Sequence, residues 1–232
     1  MAKFKLFGGT DPAGVASADS VAVIGLGRFG QSLALELMAS GTEVLGIDGD
    51  EPIVQSLNGK LTHVVRADAT NDETLRQLSV PEFDRVVIAI GSDIEASILT
   101  ASLLLRFGIT QIWAKAVSDA HGTILEQLGV QHVIYPEKDM GKRVAHLVRS
   151  SMQDYIEISD DFALVKTTPH AGIVGIPLSE ARIRARFGVT VTAVKSVGQP
   201  WTYATPETVL RADDTILVAG QIRKAEAFSQ LV

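Results

Sequence analysis

The sequence contains no cysteine. That excludes disulfides, thiolate nucleophiles and thiolate metal centres, and it suits a reducing compartment. Long apolar runs are also missing. The most apolar stretch, Ile94 to Leu105, is interrupted by Ser97, Thr100 and Ser102 and falls short of the ~18 apolar residues that mark a membrane-spanning helix. Positive charge is not in excess: 21 Lys and Arg stand against 27 Asp and Glu, a net charge of −6. A protein that coats nucleic acid needs clustered cations, so no nucleic-acid partner is expected. H-E-x-x-H, G-x-S-x-G and Walker patterns do not occur, nor does any internal repeat or low-complexity tract. The first 19 residues carry Lys3 and Lys5 without the apolar segment of a secretory signal. Their Gly, Ala, Ser and Asp content reads as a flexible tail ending near Ser20.

What is present is a chain of 232 residues, 46% of them apolar, enough for one large domain or two small ones with packed cores. From residue 20 short β-branched runs alternate with helical stretches. The runs are Val21–Gly25, Glu43–Asp48, Thr62–Arg66, Arg85–Ile90, Gln111–Lys115 and His132–Ile134. Helices are expected near 29–40, 51–58, 71–78, 93–107 and 118–128. Uniformly apolar strands separated by helices predict an α/β, Rossmann-like, doubly wound parallel sheet. Gly41, Gly108 and Gly129 fall where left-handed residues close helices. Asn71 and Asp93 sit where N-caps belong, and Pro52 falls in a first turn after Asp50.

Gly25-Leu26-Gly27-Arg28-Phe29-Gly30 is a complete G-x-G-x-x-G between the first strand and the first helix. The first Gly permits the turn, the second lets a pyrophosphate approach, and the third lets helix and strand pack closely. The helix N-terminus offers free N–H groups and partial positive charge to phosphate. Asp48, 18 positions after Gly30, stands where an acidic residue accepts from ribose hydroxyls. Adenosine and phosphates are common to NAD, ATP, ADP and AMP, so the motif alone leaves the ligand open. Arg28 lies inside the phosphate loop and is either a terminal-phosphate contact or a solvated surface cation.

Strand ends line the ligand crevice of such sheets. Lys115 ends the fifth strand and is read as a phosphate contact. Asp68 and Ala69 after the third strand, and Gly91 after the fourth, share that rim; Asp68 alternatively caps the next helix. Hydride transfer would need an acid–base apparatus, and His63, His121, His132, His146 and His170 are scattered. An NAD(H)-dependent small reductase or redox sensor stays as the alternative reading.

A different texture begins after Pro136. Residues 139–152 read as one amphipathic helix with Met140, Val144, Leu147, Val148 and Met152 at helical spacing. Strands are expected at Tyr155–Ile158, Ala163–Thr168, Thr190–Val197 and Thr215–Ala219, with helices near 178–187 and 221–230. At roughly 75 residues this second unit is small for an independent core. The helix at 93–107 is apolar on more than one face. Both features favour an oligomer.

Several runs together resemble the RCK (regulator of K+ conductance) family, in particular KtrA/TrkA-type cytosolic regulators of bacterial potassium transporters. They are Val23 to Gly30, Val44-Leu45-Gly46-Ile47-Asp48, Ile112-Trp113-Ala114-Lys115-Ala116, Tyr135-Pro136-Glu137-Lys138-Asp139-Met140-Gly141, Arg184-Ala185-Arg186-Phe187-Gly188 and Ala204-Thr205-Pro206-Glu207. The resemblance implies a tail over 1–19, an RCK-N Rossmann domain over 20–138, a crossover helix over 139–153 and a small α+β RCK-C domain over 154–232. It implies a non-enzymatic gating-ring subunit: a homodimer assembling into an octameric ring on the inner face of the membrane, docked on a K+-translocating subunit of KtrB/TrkH type. ATP and ADP would compete at the Rossmann site, held by Gly25, Gly27, Phe29, Gly30 and Asp48, with Arg28 reaching the terminal phosphates of a neighbouring protomer's nucleotide. Glu137 would stand near a divalent cation, Mg2+ or Ca2+, at the dimer interface. Arg184 and Pro206 match positions that line a cyclic di-AMP pocket between protomers.

Overall fold

The structure is a computed structural model and describes residues 20–231; the tail expected over 1–19 lies outside the described residues. The chain forms two compact units, one running to Glu137 and one beginning at Lys138.

The first unit is built on β1 (Ser20–Ile24), β2 (Glu43–Asp48), β3 (His63–Arg66), β4 (Arg85–Ile88), β5 (Gln111–Lys115) and β6 (His132–Ile134). These form one sheet in the order β3-β2-β1-β4-β5-β6, with every neighbouring pair parallel. The connecting helices are α1 (Arg28–Ala39), α2 (Glu51–Leu57), α3 (Asp72–Gln77), α4 (Ile94–Arg106) and α5 (Asp119–Leu128). Alternation along β1 shows the double winding. Val21 and Val23 join a core with Ala34 of α1 and Leu57 of α2. Ala22 and Ile24 join the opposite core with Leu75 of α3, Leu104 of α4 and Leu125 of α5. The order of strands reverses between β1 and β4, so the switch point of the sheet opens beside the glycine loop.

Local chemistry fixes the helix ends. Asp50, Asn71, Asp93 and Ser118 cap α2, α3, α4 and α5, each side chain accepting from the backbone N–H three residues on. Gly41, Gly108 and Gly129 all have positive φ, and Thr42 N–H reaches back to Leu37 O at 2.9 Å, as expected at a helix stop. Asp68 does not cap α3; Asn71 does, and Asp68 is spent on its own turn, described below. Strand β4 stops at Ile88 rather than Ile90: Ala89 N–H still donates to Ile24 O at 2.7 Å, and Ala89 and Ile90 both line the cleft.

Helix α6 spans Pro136–Arg149, earlier by three residues at each end than the helix expected over 139–152. Pro136 opens it, where a missing N–H costs little. It ends where Ser150 Oγ donates back to His146 O at 2.8 Å, an interaction that competes with the next helical turn.

The second unit is an antiparallel sheet of β7 (Asp154–Ser159), β8 (Phe162–Thr167), β9 (Val189–Lys195), β10 (Thr202–Tyr203) and β11 (Thr215–Gln221), ordered β10-β9-β11-β8-β7. Ala163, Val165 and Thr167 of β8 and Ile216, Val218 and Gly220 of β11 alternate inward. Helix α9 (Ile222–Ser229) covers that face with Ala225 and Phe228. The expected helix over 178–187 divides into α7 (Leu178–Ala181) and α8 (Ile183–Phe187). Arg182 between them takes the left-handed conformation, φ 48°; Ala181 and Ile183 on either side of it are both buried. Strand β10 was not expected; it pairs two residues with Val194 and Ala193.

Candidate functional site

A cleft of about 1460 Å3 opens at the carboxyl ends of the parallel strands. Gly25, Gly27, Arg28 and Phe29 supply its phosphate-loop wall. Asp48 ends β2, Asp68 and Ala69 follow β3, Gly91 follows β4, Lys115 ends β5, and Glu137 stands in the first turn of α6; all line the same cleft. Gly30 lies behind this wall rather than on it.

Each glycine of the loop has a distinct physical reason. Gly25 has φ +91°, and a Cβ there would also strike the backbone of Ala89 and Ile90. A Cβ at Gly30 would overlap Gly25 O, so this glycine lets α1 sit against the turn. Gly27 is different: a Cβ on it would meet no protein atom within 4 Å. Packing does not demand glycine there, and the space beside it is open. Gly27 caps α1 without a side-chain acceptor, and the first turn of α1 holds no acidic residue. The N–H groups of Arg28, Phe29 and Gly30 donate to no acceptor among the described residues. A helix N-terminus of that kind is an anion site in waiting.

The two ends of the cleft differ in sign. At one end Asp48 accepts from Leu26 N–H at 2.5 Å through Oδ2 and from Asp50 N–H at 2.8 Å through Oδ1. Its carboxylate is thus oriented by the glycine loop itself, and each oxygen keeps a lone pair for a ribose hydroxyl. Asp68 accepts from Thr70 Oγ1 at 2.7 Å and Thr70 N–H at 2.8 Å; the hydroxyl first and the amide second hold its carboxyl below the usual carboxylate range.

At the other end Lys115 Nζ pairs with Glu137 Oε1 at 2.5 Å and stands 5.8 Å from the centre of the Phe29 ring. The hydrogen bond from Lys115, and more weakly the charge of Arg28, hold Glu137 below the usual carboxylate range. Arg28 itself is exposed. Glu137 does not by itself form a metal centre: among the described residues no group of three or more His, Asp or Glu side chains could hold a metal ion, and its immediate neighbours are cationic.

Arg184 and Pro206 belong to the second unit. Arg184 Nε donates to Thr190 Oγ1 at 3.2 Å, and Pro206 O accepts from Ser179 N–H at 2.9 Å. Neither lines the groove of about 360 Å3 bordered by α6 and β7. No histidine lines the main cleft. His121 is buried and accepts from Val117 N–H, and burial holds it below the usual imidazole range. His132 stacks on Trp113. His146 contacts Glu226 at 2.6 Å and stacks on Tyr155; a separation of 80 positions hid the contact with Glu226 from sequence reasoning.

Fold and cleft together define a Rossmann-type ligand-binding unit joined to a small α+β unit. Family comparison agrees: residues 21–136 match the TrkA-N domain and 162–232 the TrkA-C domain. The chain is 35% identical over 212 residues to Ktr system potassium uptake protein C of Bacillus subtilis, covering 91% of this chain and 96% of that protein. It is 36% identical over 208 residues to Ktr system potassium uptake protein A of the same organism, covering 89% and 94%. Among solved structures, the GsuK channel bound to NAD superposes with a TM-score of 0.63 at 18% identity, over 91% of this chain and 39% of that one. The chain belongs to the TrkA-N/TrkA-C (RCK) family, as a KtrA/KtrC-type protein of Ktr potassium uptake systems.

Proposed function

We propose that this chain is the cytosolic, non-enzymatic regulatory subunit of a bacterial K+ uptake system, and that its Rossmann cleft binds ATP and ADP in competition. The observation that carries the reading is the phosphate corner: free N–H groups on α1, the open approach at Gly27 and the Lys115 ammonium converge on one end of the cleft. In this reading residues 20–138 form the nucleotide-binding domain, 139–153 the crossover helix and 154–232 the RCK-C domain. Homodimers assemble into an octameric ring that sits at the inner face of the membrane on a K+-translocating subunit of KtrB/TrkH type. Among the described residues no helix is long and apolar enough to cross a membrane, which agrees with attachment through a partner.

Asp48 orients the ribose, the loop glycines admit the phosphates, and Arg28 reaches a terminal phosphate. A divalent cation near Glu137 would need further ligands from phosphate or a second copy. Arg184 and Pro206 would contribute to a cyclic di-AMP site completed by another protomer. A ligand shifts the ring only by its differential affinity for two ring states, and the phosphate that ATP has and ADP lacks is such a difference. NAD is the competing ligand, because the similar GsuK channel is bound to NAD.

Calorimetric titration of the purified chain with ATP, ADP, NAD, NADH and cyclic di-AMP, with and without Mg2+, tests this. Micromolar binding of both ATP and ADP with weak NADH supports the regulator. Tight NAD or NADH binding without any ATP response overturns it in favour of a redox protein.

A further inference from the structure

Lys115 and Glu137 are unequal partners. Lys115 is only 9% exposed, whereas the Glu137 side chain is 67% exposed. A buried ammonium requires an anion beside it; an exposed carboxylate returns to water at little cost. Lys115 carries three N–H donors, and among the described residues Glu137 is its one hydrogen-bond partner. The ammonium also lies beside the phosphate corner. Phe29, whose ring centre is 5.8 Å from Nζ, belongs to the first turn of α1 with its free N–H groups. Gly91 leaves room on the cleft side, since a Cβ there would come within 3.1 Å of Nζ.

We propose that Lys115 is an exchangeable cation, contested by the Glu137 carboxylate and the phosphate oxygens of a nucleotide in the cleft, so that nucleotide binding releases Glu137 and loosens the first turn of α6. This rests on the nucleotide reading of the cleft and adds to it a route out. Glu137 lies in α6, the helix through which the chain passes into its second unit. The exchange needs no change in the count of ion pairs: one acceptor replaces another on the same ammonium. A nucleotide with more phosphate oxygens near Lys115 competes better, so the device grades ligands by phosphate number.

The test is a double-mutant cycle on the full chain in EDTA, which removes any divalent cation from Glu137. ATP is titrated into wild type, Glu137→Gln, Lys115→Met and the double variant. Glu137→Gln removes the competitor and should tighten ATP binding about two- to fivefold, the range of a partly exposed ion pair; Lys115→Met should weaken it. In the Lys115→Met background the gain from Glu137→Gln should vanish. A gain of the same size in both backgrounds would reveal simple repulsion between Glu137 and phosphate and overturn the exchange, as would Glu137→Gln binding no tighter than wild type. Hydrogen exchange gives a second readout that decides the matter even where Lys115→Met does not fold. Amides of 139–141 should exchange faster with ATP than without it in wild type, and fast in both conditions in Glu137→Gln; protection unchanged by ATP in wild type refutes the release. Absence of any nucleotide binding to wild type would instead refute the reading of the cleft itself.

Discussion

A methyl group at Gly30 would land on the carbonyl oxygen of Gly25, whereas one at Gly27 would meet no protein atom within 4 Å. Gly30→Ala should therefore cost about 1–3 kcal/mol of stability through overpacking. Gly27→Ala should leave the chemical denaturation midpoint nearly unchanged, since φ −64° suits alanine, yet weaken ATP and ADP about tenfold or more by blocking phosphate. Denaturation curves and calorimetry on the two variants separate packing from binding; equal loss of stability would show that Gly27 is structural. Arg28→Ala addresses the terminal phosphate. The Arg28 side chain is exposed, so its removal should spare folding and ADP affinity and reduce the advantage of ATP over ADP. Equal losses for both nucleotides would remove its assigned role. At this scale much was legible in the sequence, because the glycine that leaves open space and the one that lets a helix pack sit at fixed spacing in the same motif. The pairing of Lys115 with Glu137, 22 positions apart, was not, since nothing in either residue's local pattern names the other. Asp48 was legible as an acceptor, but not as a carboxylate already aimed by Leu26 N–H.

Elements of the first unit were readable because its buried strands appear as short apolar runs and because side-chain caps mark the starts of α2 to α5. The second unit was harder. Strand β10 has only two residues, too few for a periodic signal, and the break between α7 and α8 falls on Arg182, a residue with no turn signature. What organises that region is tertiary: His170 lies edge-on to both Phe187 of α8 and Phe228 of α9, which also meet each other. Its Nδ1 accepts from Gly172 N–H at 3.1 Å, so the neutral ring carries its proton on Nε2, an atom that is buried without a partner. Burial first, and the charge of Arg186 second, hold His170 below its usual value of 6.5. A group whose folded pKa is depressed contributes stability above its unfolded pKa and loses it as pH falls. Urea denaturation at pH 7.5 and 5.5 should show the chain less stable at the lower pH. His170→Asn, which keeps an acceptor for Gly172 but cannot titrate in this range, should narrow the difference. An undiminished gap in the variant would place the acid sensitivity elsewhere, with buried His121 the next group to substitute.

For the whole molecule, the exposed apolar surface carries the argument. Ile94 and Leu99 of α4 are 44% and 45% exposed, and Ile124 and Leu128 of α5 are each 40% exposed. The two helices pack against one another, so these side chains lie on adjoining elements of the first unit. Clustered apolar exposure marks an interaction site, and a closed ring of identical chains must present complementary patches of this kind. A second stripe, Met140, Val144 and Val148, follows α6 at four-residue spacing and is likewise exposed. The ring proposed above would require two different self-contacts, and these exposed apolar residues of α4 and α5 and of α6 are the candidates for them. The prediction concerns the first. Leu99→Glu combined with Leu128→Glu places like charges on a face that neighbouring copies would have to bury, where unpaired carboxylates are costly. Light scattering coupled to gel filtration should register the fall from a ring to a smaller species, while thermal melting moves little, because both side chains are already partly in water. Nucleotide titration supplies the control within the same variant: the cleft lies at the strand ends and contains none of the four residues, so ADP affinity should persist after the ring is lost. An unchanged mass would remove α4 and α5 from the assembly and leave the α6 stripe as the face to test.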